Sequence, residues 1–334
     1  MTRAAKFLLA KLPKAERLGA FCIQALRVCT LAGLCWSQCS FEARAASAPE
    51  RGMAPSGGEL KGVKVFTKKE GDLTHFFVQN NELSEVTMTF EMGLENLRGA
   101  TKFPYTATFP GRQTTEAFTL SPVEADEKWG YSYTNYYKLG SNCAQHDDSV
   151  LYQLPYAQGK KFKVTQGYYG SFSHRGSNLY AIDWQMPEGT PVYAARGGLV
   201  VKLKDDSNSG GSSMKYDPFN NYVLIRHADG TLGHYCHLQK GGATVKPGEI
   251  VQAGQLIAHS GNTGFSSGPH LHFSVYRTRD GRERESLPVK FKTGDANGTT
   301  LVTGRSYRAA AAETTIVAAP APIIQGVGAS NGGS

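Results

Sequence analysis

No uninterrupted run of about twenty apolar residues occurs in the 334-residue chain, which leaves no case for a membrane protein of several spanning helices. No long basic stripe interleaved with aromatic residues occurs either. The formal charge of +8 is unevenly spread, because residues 1 to 48 hold seven Lys/Arg against two Glu and leave about +3 for the remainder. That excess is too small to indicate a nucleic-acid partner. A sustained helical period of apolar residues is also missing between 150 and 292, which argues against a bundle. Cysteine is scarce: of six, Cys22, Cys29, Cys35 and Cys39 lie in the first 39 positions, so Cys143 and Cys236 are the two that follow.

What the amino terminus does contain is ordered. Arg3, Lys6, Lys11, Lys14 and Arg17 precede an apolar run that is broken once by Arg27 and continues from Val28 to Trp36. ARAASA follows at positions 43 to 48. Basic region, short apolar core and small-residue site form a secretory signal over residues 1–45, cleaved after Ala45. The expectation is an exported protein, periplasmic or extracellular, with no stable membrane insertion after cleavage. An oxidising compartment permits one disulfide between Cys143 and Cys236, whereas a strand position next to His237 suits Cys236 as a small buried thiol.

Residues 46–60, rich in Ala, Pro, Gly and Ser, read as a linker. Over 61–149 the apolar Val86, Met88 and Phe90 alternate with Thr87, Thr89 and Glu91, and Trp129, Tyr131 and Tyr133 alternate with Gly130, Ser132 and Thr134. Period-2 runs punctuated by Gly and Pro give a small all-β accessory domain resembling a sandwich, with no catalytic grouping; its one histidine, His75, reads as a packed or rim residue. Residues 150–292 continue as mostly antiparallel strands between glycine-rich turns, with Asp205 to Pro218 as a polar surface loop placed to wall a groove. Residues 293–334 form an extension, read as disordered from about 309. The fold class is all-β.

Chemistry concentrates in the second domain. SGNTGFSSGPHLHF, residues 260–273, places His270 and His272 on alternate strand positions, so both imidazoles face the same way. SHRGSNLYAIDW supplies His174 and Asp183, and HYCHL supplies His234 and His237. In a regular strand Tyr235 and His237 share one face while His234 and Cys236 share the other, so only one of these histidines points into a groove. A catalytic zinc takes three protein ligands, two His and a carboxylate being a suitable set, and leaves a position open. The remaining imidazoles suit proton transfer and oxyanion stabilisation. His227 and His259 read as structural or supporting residues, and His146 as a loop residue. Gly197 and Gly198, with the glycines before His270, are placed to let an extended peptide approach the groove.

SHRG, YAIDWQMPEGTPVYAARGGLV, NYVLIRHADGT, YCHL, VKPGEIVQAGQLIAHSGNTG and GPHLHF, in that order over roughly 150 to 280, resemble the zinc metallopeptidases of the lysostaphin and LytM type, peptidase family M23. The resemblance implies a compact antiparallel β fold, the duplicated hybrid motif, with a metal in a groove. It implies one Zn2+ per chain held by His174, Asp183 and His272, with His237 and His270 as catalytic histidines; the family's YxHL pattern selects His237 over His234. His174 and Asp183 are nine residues apart, where the family's commonest spacing is four, so SNLY is expected to form a loop between them. The implied function is an exported zinc metalloendopeptidase acting on the peptides of bacterial peptidoglycan. The alternative is a non-catalytic LytM-domain regulator or wall-binding protein that activates another hydrolase.

Overall fold

A computed structural model describes residues 62–310. The expected signal peptide and linker, and the residues beyond 310, lie outside the described residues.

Seven strands come first: β1 (Val63–Glu70), β2 (Leu73–Asn80), β3 (Val86–Glu95), β4 (Leu97–Gly99), β5 (Tyr105–Phe109), β6 (Gln113–Pro122) and β7 (Gly130–Leu139). They form two antiparallel sheets, ordered β1-β2-β6-β4 and β5-β3-β7. Alternate apolar residues of each sheet meet in one core, where Phe118 of β6 packs against Phe76 of β2 at 4.6 Å and Phe90 of β3 at 5.2 Å between ring centroids. The first half of strand β3 is buried on both faces. Val86, Met88 and Phe90 enter the sandwich core, while Thr87 and Thr89, on the face that alternation leaves polar, are buried too. Their hydroxyls are satisfied there: Thr87 donates to the Gly140 carbonyl at 2.9 Å, and Thr89 accepts from the Gly281 amide at 3.0 Å.

The remainder is β8 (Leu151–Tyr152), β9 (Lys161–Gln166), β10 (Ile182–Gln185), β11 (Pro191–Tyr193), β12 (Gly198–Lys204), β13 (Gly210–Gly211), β14 (Tyr222–Arg226), β15 (Leu232–Cys236), β16 (Ile250–Val251), β17 (Leu256–His259), β18 (Gly264–Phe265), β19 (His270–Thr278), β20 (Arg284–Leu287), β21 (Lys290–Phe291) and β22 (Ser306–Arg308). One large sheet runs β16-β12-β14-β15-β19-β10-β9-β22, with β20 added beside the far half of β19. The chain after 292 thus returns to the sheet, β22 pairing with β9 through Tyr307 and Phe162.

Strand β19 organises the two faces of this sheet. Leu271, Phe273 and Val275 point into a core with Trp184, Tyr235 and Ile225, which the β11–β17 pair and Tyr152 and Phe291 help to close. His270, His272, Ser274 and Tyr276 occupy the opposite face by strict alternation. The end of that face carrying Tyr276, Leu232, Leu224 and Val201 belongs to the same apolar cluster as the sandwich core. The end carrying His270 and His272 opens into a groove.

Candidate active site

Backbone pairing assembles the first half of the site. Asp183 of β10 lies directly opposite His272 of β19, and Gln185 opposite His270, so four side chains share one patch of the sheet. His174 reaches the same place from the loop after β9. The nine-residue separation from Asp183 is taken up by a 3-10 turn over Gly176–Asn178, as the SNLY loop reading anticipates. His272 Nδ1 lies 2.8 Å from Asp183 Oδ1, and His174 Nε2 lies 3.1 Å from Asp183 Oδ2. Donor atoms of His174, Asp183 and His272 all fall within 4.8 Å of one another, and all three residues are buried.

Tautomers follow from acceptors. A carbonyl oxygen can only accept, so His174 donates Nδ1–H to Gly167 O at 2.8 Å. Its Nε2 then carries a lone pair that faces a carboxylate oxygen, buried and without a well-formed hydrogen bond. Two acceptors turned toward each other in a buried site need a cation between them, and two imidazoles with one carboxylate is a donor set that suits zinc. The residues therefore fit a metal. Burial alone would raise the Asp183 carboxyl, but the neighbouring His174 and His272 outweigh it and hold the group well below the usual carboxylate range.

His270 and His237 stand beside the triad. His270 donates Nδ1–H to Gly268 O at 2.8 Å, and His237 donates Nδ1–H to Thr263 O at 2.8 Å. Both therefore leave Nε2 free of these carbonyls, and their rings lie 4.5 Å apart. Burial, then the neighbouring His270 and His272, pushes the His237 imidazole down to about 3, so the resting ring is neutral at pH 7.

The strand-face expectation for His237 is incorrect. Strand β15 ends at Cys236, and His237 follows with φ at 61°, which turns its side chain off the Tyr235 face and toward His270 and His272. His234 sits on the same sheet face as His272, one step removed: Cys236 pairs with His272 and His234 with Ser274. It is shut away from the groove, with its Nε2 3.2 Å from Cys236 Sγ and its ring 5.3 Å from that of Tyr222. Cys236 is a buried thiol rather than half of a disulfide with exposed Cys143. His227 is buried, bonded through Nδ1 to Gly197 O at 2.9 Å, and His259 and His146 bond locally to Gly242 O and Asp148. His75 bonds Glu116 on the sandwich.

Two supporting residues escape sequence reasoning. Gln166, the last residue of β9, donates Nε2–H to Asp183 Oδ2 at 3.0 Å and to Ser173 Oγ at 2.8 Å, while its Oε1 accepts from the Phe172 and Ser173 amides. One side chain thus ties the carboxylate to the loop that delivers His174. Asn220 accepts the His237 amide on Oδ1 at 2.9 Å. Neither carries a motif signal.

The groove has a volume of about 430 Å3, with Gln166, Gln185, Pro269 and His270 in its walls and Phe172 stacked on Phe265 at 5.8 Å across one side. Phe172 is 63% exposed. The loop 205–218 does not line it; β13 within that loop pairs with β18 and so braces Phe265 from behind. Gly197 and Gly198 lie away from the groove as well, and serve close packing: a Cβ on Gly198 would meet Arg226 O at 2.2 Å.

Comparison with known proteins agrees with this arrangement. A family model for peptidase family M23 matches residues 177–285, a stretch that contains Asp183, His237, His270 and His272 and begins just after His174. The chain therefore carries a peptidase domain of family M23. It is 41% identical over 93 residues to peptidoglycan DD-endopeptidase ShyA of Vibrio cholerae serotype O1, covering 28% of this chain and 19% of ShyA. It is 39% identical over 98 residues to glycyl-glycine endopeptidase ALE-1 of Staphylococcus capitis, covering 29% of this chain and 24% of ALE-1. Among solved structures, the catalytic domain of the antimicrobial peptidase lysostaphin from Staphylococcus simulans aligns at 28% identity with a TM-score of 0.27, over 38% of this chain and 87% of that one. The chain thus spans a quarter or less of the length of these two curated relatives.

Proposed function

We propose that this chain is an exported zinc metalloendopeptidase that hydrolyses peptide bonds in bacterial peptidoglycan. The observation that carries the reading is the clustering of His174, Asp183 and His272 around one point, with His237 and His270 beside them in an open groove. His174, Asp183 and His272 would hold the metal. When bound, zinc lowers the pKa of water toward neutrality and polarises a carbonyl oxygen.

The rest is the work of the chain. His237 and His270, each fixed through Nδ1–H to a carbonyl, offer unprotonated Nε2 atoms that take a proton from attacking water and return it to the departing amine. In the protonated form either ring stabilises negative charge developing on the carbonyl oxygen. The groove orients an extended peptide between Phe172 and Phe265 on one side and Pro269 on another. The named activities of ShyA and ALE-1 support a peptidoglycan peptide as substrate. The presence of all five residues favours an enzyme over a regulator that has lost ligands, and three ligands with two imidazoles left over differ from a structural zinc site, which closes four positions with protein ligands.

Digestion of purified peptidoglycan, with released fragments identified by mass, tests the proposal; no new amino or carboxyl termini would overturn it. His237→Ala and His270→Ala should keep the metal and lose turnover by about a hundredfold or more, while His174→Ala, Asp183→Ala and His272→Ala should lose the metal itself. Metal content and rate measured on the same samples separate the two groups.

A further inference from the structure

Away from the groove, a second cleft of about 580 Å3 lies where the sandwich meets the large sheet, and its wall includes Lys138, Lys202, Tyr222, His234, Tyr276 and Arg284. One hydrogen bond sets its geometry. Thr278 Oγ donates to Leu139 O at 2.6 Å, which docks β7 onto the end of β19. Lys138 precedes Leu139 in β7, and Arg284 is the cross-strand partner of Thr278, so this contact brings the two cations into one cleft.

The cations are under-compensated. Lys204 at the rim is paired with Asp206 at 2.8 Å, and Asp217 adds one carboxylate to the wall. Among the described residues no carboxylate lies within ion-pair distance of Lys138 or Arg284. Burial and then the nearby Arg284 push the Lys138 ammonium below its ordinary value, and the carboxylate of Asp280 offsets them only in part. Arg284 is held for recognition rather than neutralised, with its guanidinium 4.5 Å from the Tyr276 ring and Nη2 donating to Asn178 Oδ1 at 3.3 Å. A stacked planar fork of this kind matches a carboxylate. The Tyr222 and Pro218 surfaces between the charges suit the carbon stem of a ligand longer than a bare oxyanion.

We infer that this cleft is a binding site for an acidic peptide, whose carboxylates pair with Lys138 and Arg284 while its stem packs on Tyr222 and Pro218. The site is separate from the metal-binding triad and its existence does not depend on the chemistry proposed for the groove.

Calorimetric titration of the full chain with a Glu-Glu dipeptide tests it, with the neutral Gln-Gln dipeptide and inorganic phosphate as the other arms. Glu-Glu should bind at one equivalent, Gln-Gln should give no saturable heat, and phosphate should bind more weakly than Glu-Glu. Lys138→Gln and Arg284→Gln should each weaken Glu-Glu binding by about tenfold, the loss of one charge-assisted contact. Asp183→Ala should bind Glu-Glu as the parent does, which separates this cleft from carboxylate capture at a metal. Unchanged affinity in Lys138→Gln, equal binding of Gln-Gln, or tighter binding of phosphate would overturn the proposal. If Arg284→Gln unfolds for want of its contact with Tyr276, Lys138→Gln decides the matter, since Lys138 holds no ion pair whose loss would disturb the fold.

Discussion

His237 adopts a left-handed backbone, φ 61°, that costs a non-glycine residue of order 1–3 kcal/mol, and the surrounding structure holds it there through the Asn220 Oδ1 and Thr263 O bonds. Residue types at the site were legible from sequence because His-x-His falls on a strand and two further histidine-bearing clusters, one with Asp183, lie in the same domain, while their division into ligands and catalytic histidines came from the family resemblance. The orientation of His237 was not, since alternation assumes a continuous strand and the turn is enforced by an asparagine seventeen positions away. Asn220→Ala should keep the metal and lower turnover by about tenfold, read as rate per metal-loaded protein. Gln166→Leu should instead weaken metal affinity by about 10- to 100-fold, as loss of a ligand's supporting bond does, measured by competition with a chelator. His227 supplies a stability prediction. Burial first, then nearby Arg196, lowers its imidazole from 6.5 to about 4, so the unfolded chain binds a proton that the folded chain refuses. Stability from this group is therefore full above about pH 6.5 and falls as pH drops toward 4, by about 3 kcal/mol in total. His227→Phe should remove about one proton's worth of slope from a plot of unfolding free energy against pH in that window; an unchanged slope would show that His227 is not buried neutral.

Elements two residues long set the groove wall. The parallel pair β13 and β18 is held by Gly210 opposite Gly264, and both positions demand glycine for reasons visible only in three dimensions. A Cβ on Gly210 would lie 1.9 Å from Asn262 O, and Gly264 combines φ 77° with Asn220 backbone 2.7 Å from a would-be Cβ. The glycine-rich loop before His270 was legible as a close approach, but its partner was not. What it approaches at Gly264 is Asn220, the residue that orients His237, and at Gly261 the backbone of Leu238 and Gln239. Gly264→Ala should destabilise the fold by about 1–2 kcal/mol through backbone strain and also displace Asn220, so turnover should fall together with unfolding midpoint. A smaller loss of midpoint is expected for Gly71→Ala, where φ is 58° and nothing lies within 4 Å of a Cβ, without any loss of turnover.

At the scale of the whole molecule, the all-β class and the sandwich-like character of the first seven strands followed from period-2 runs, whereas the relation between the two halves did not. Period-2 reading makes Thr87 and Thr89 a solvent face, yet both are buried, because β3 is the layer that the rest of the chain covers. Likewise Leu232 and Tyr276 alternate correctly in their strands but bury against the sandwich cluster instead of facing water. Arg226 with Glu85 and Arg282 with Glu91 fasten the same seam, and the Arg282 guanidinium lies 3.7 Å from the Tyr136 ring. A core continuous across the seam couples the halves energetically, so the protein should unfold in one cooperative calorimetric transition. Leu232→Ala, which removes a fully buried side chain from the shared cluster, should lower the stability of that single transition by about 2–5 kcal/mol. A chain starting at Leu151 should expose Val201, Leu224, Leu232 and Tyr276, melt at a lower temperature and bind a hydrophobic dye. Two separated transitions in the parent, with the upper one unmoved by Leu232→Ala, would mean that the seam is a contact between independent domains.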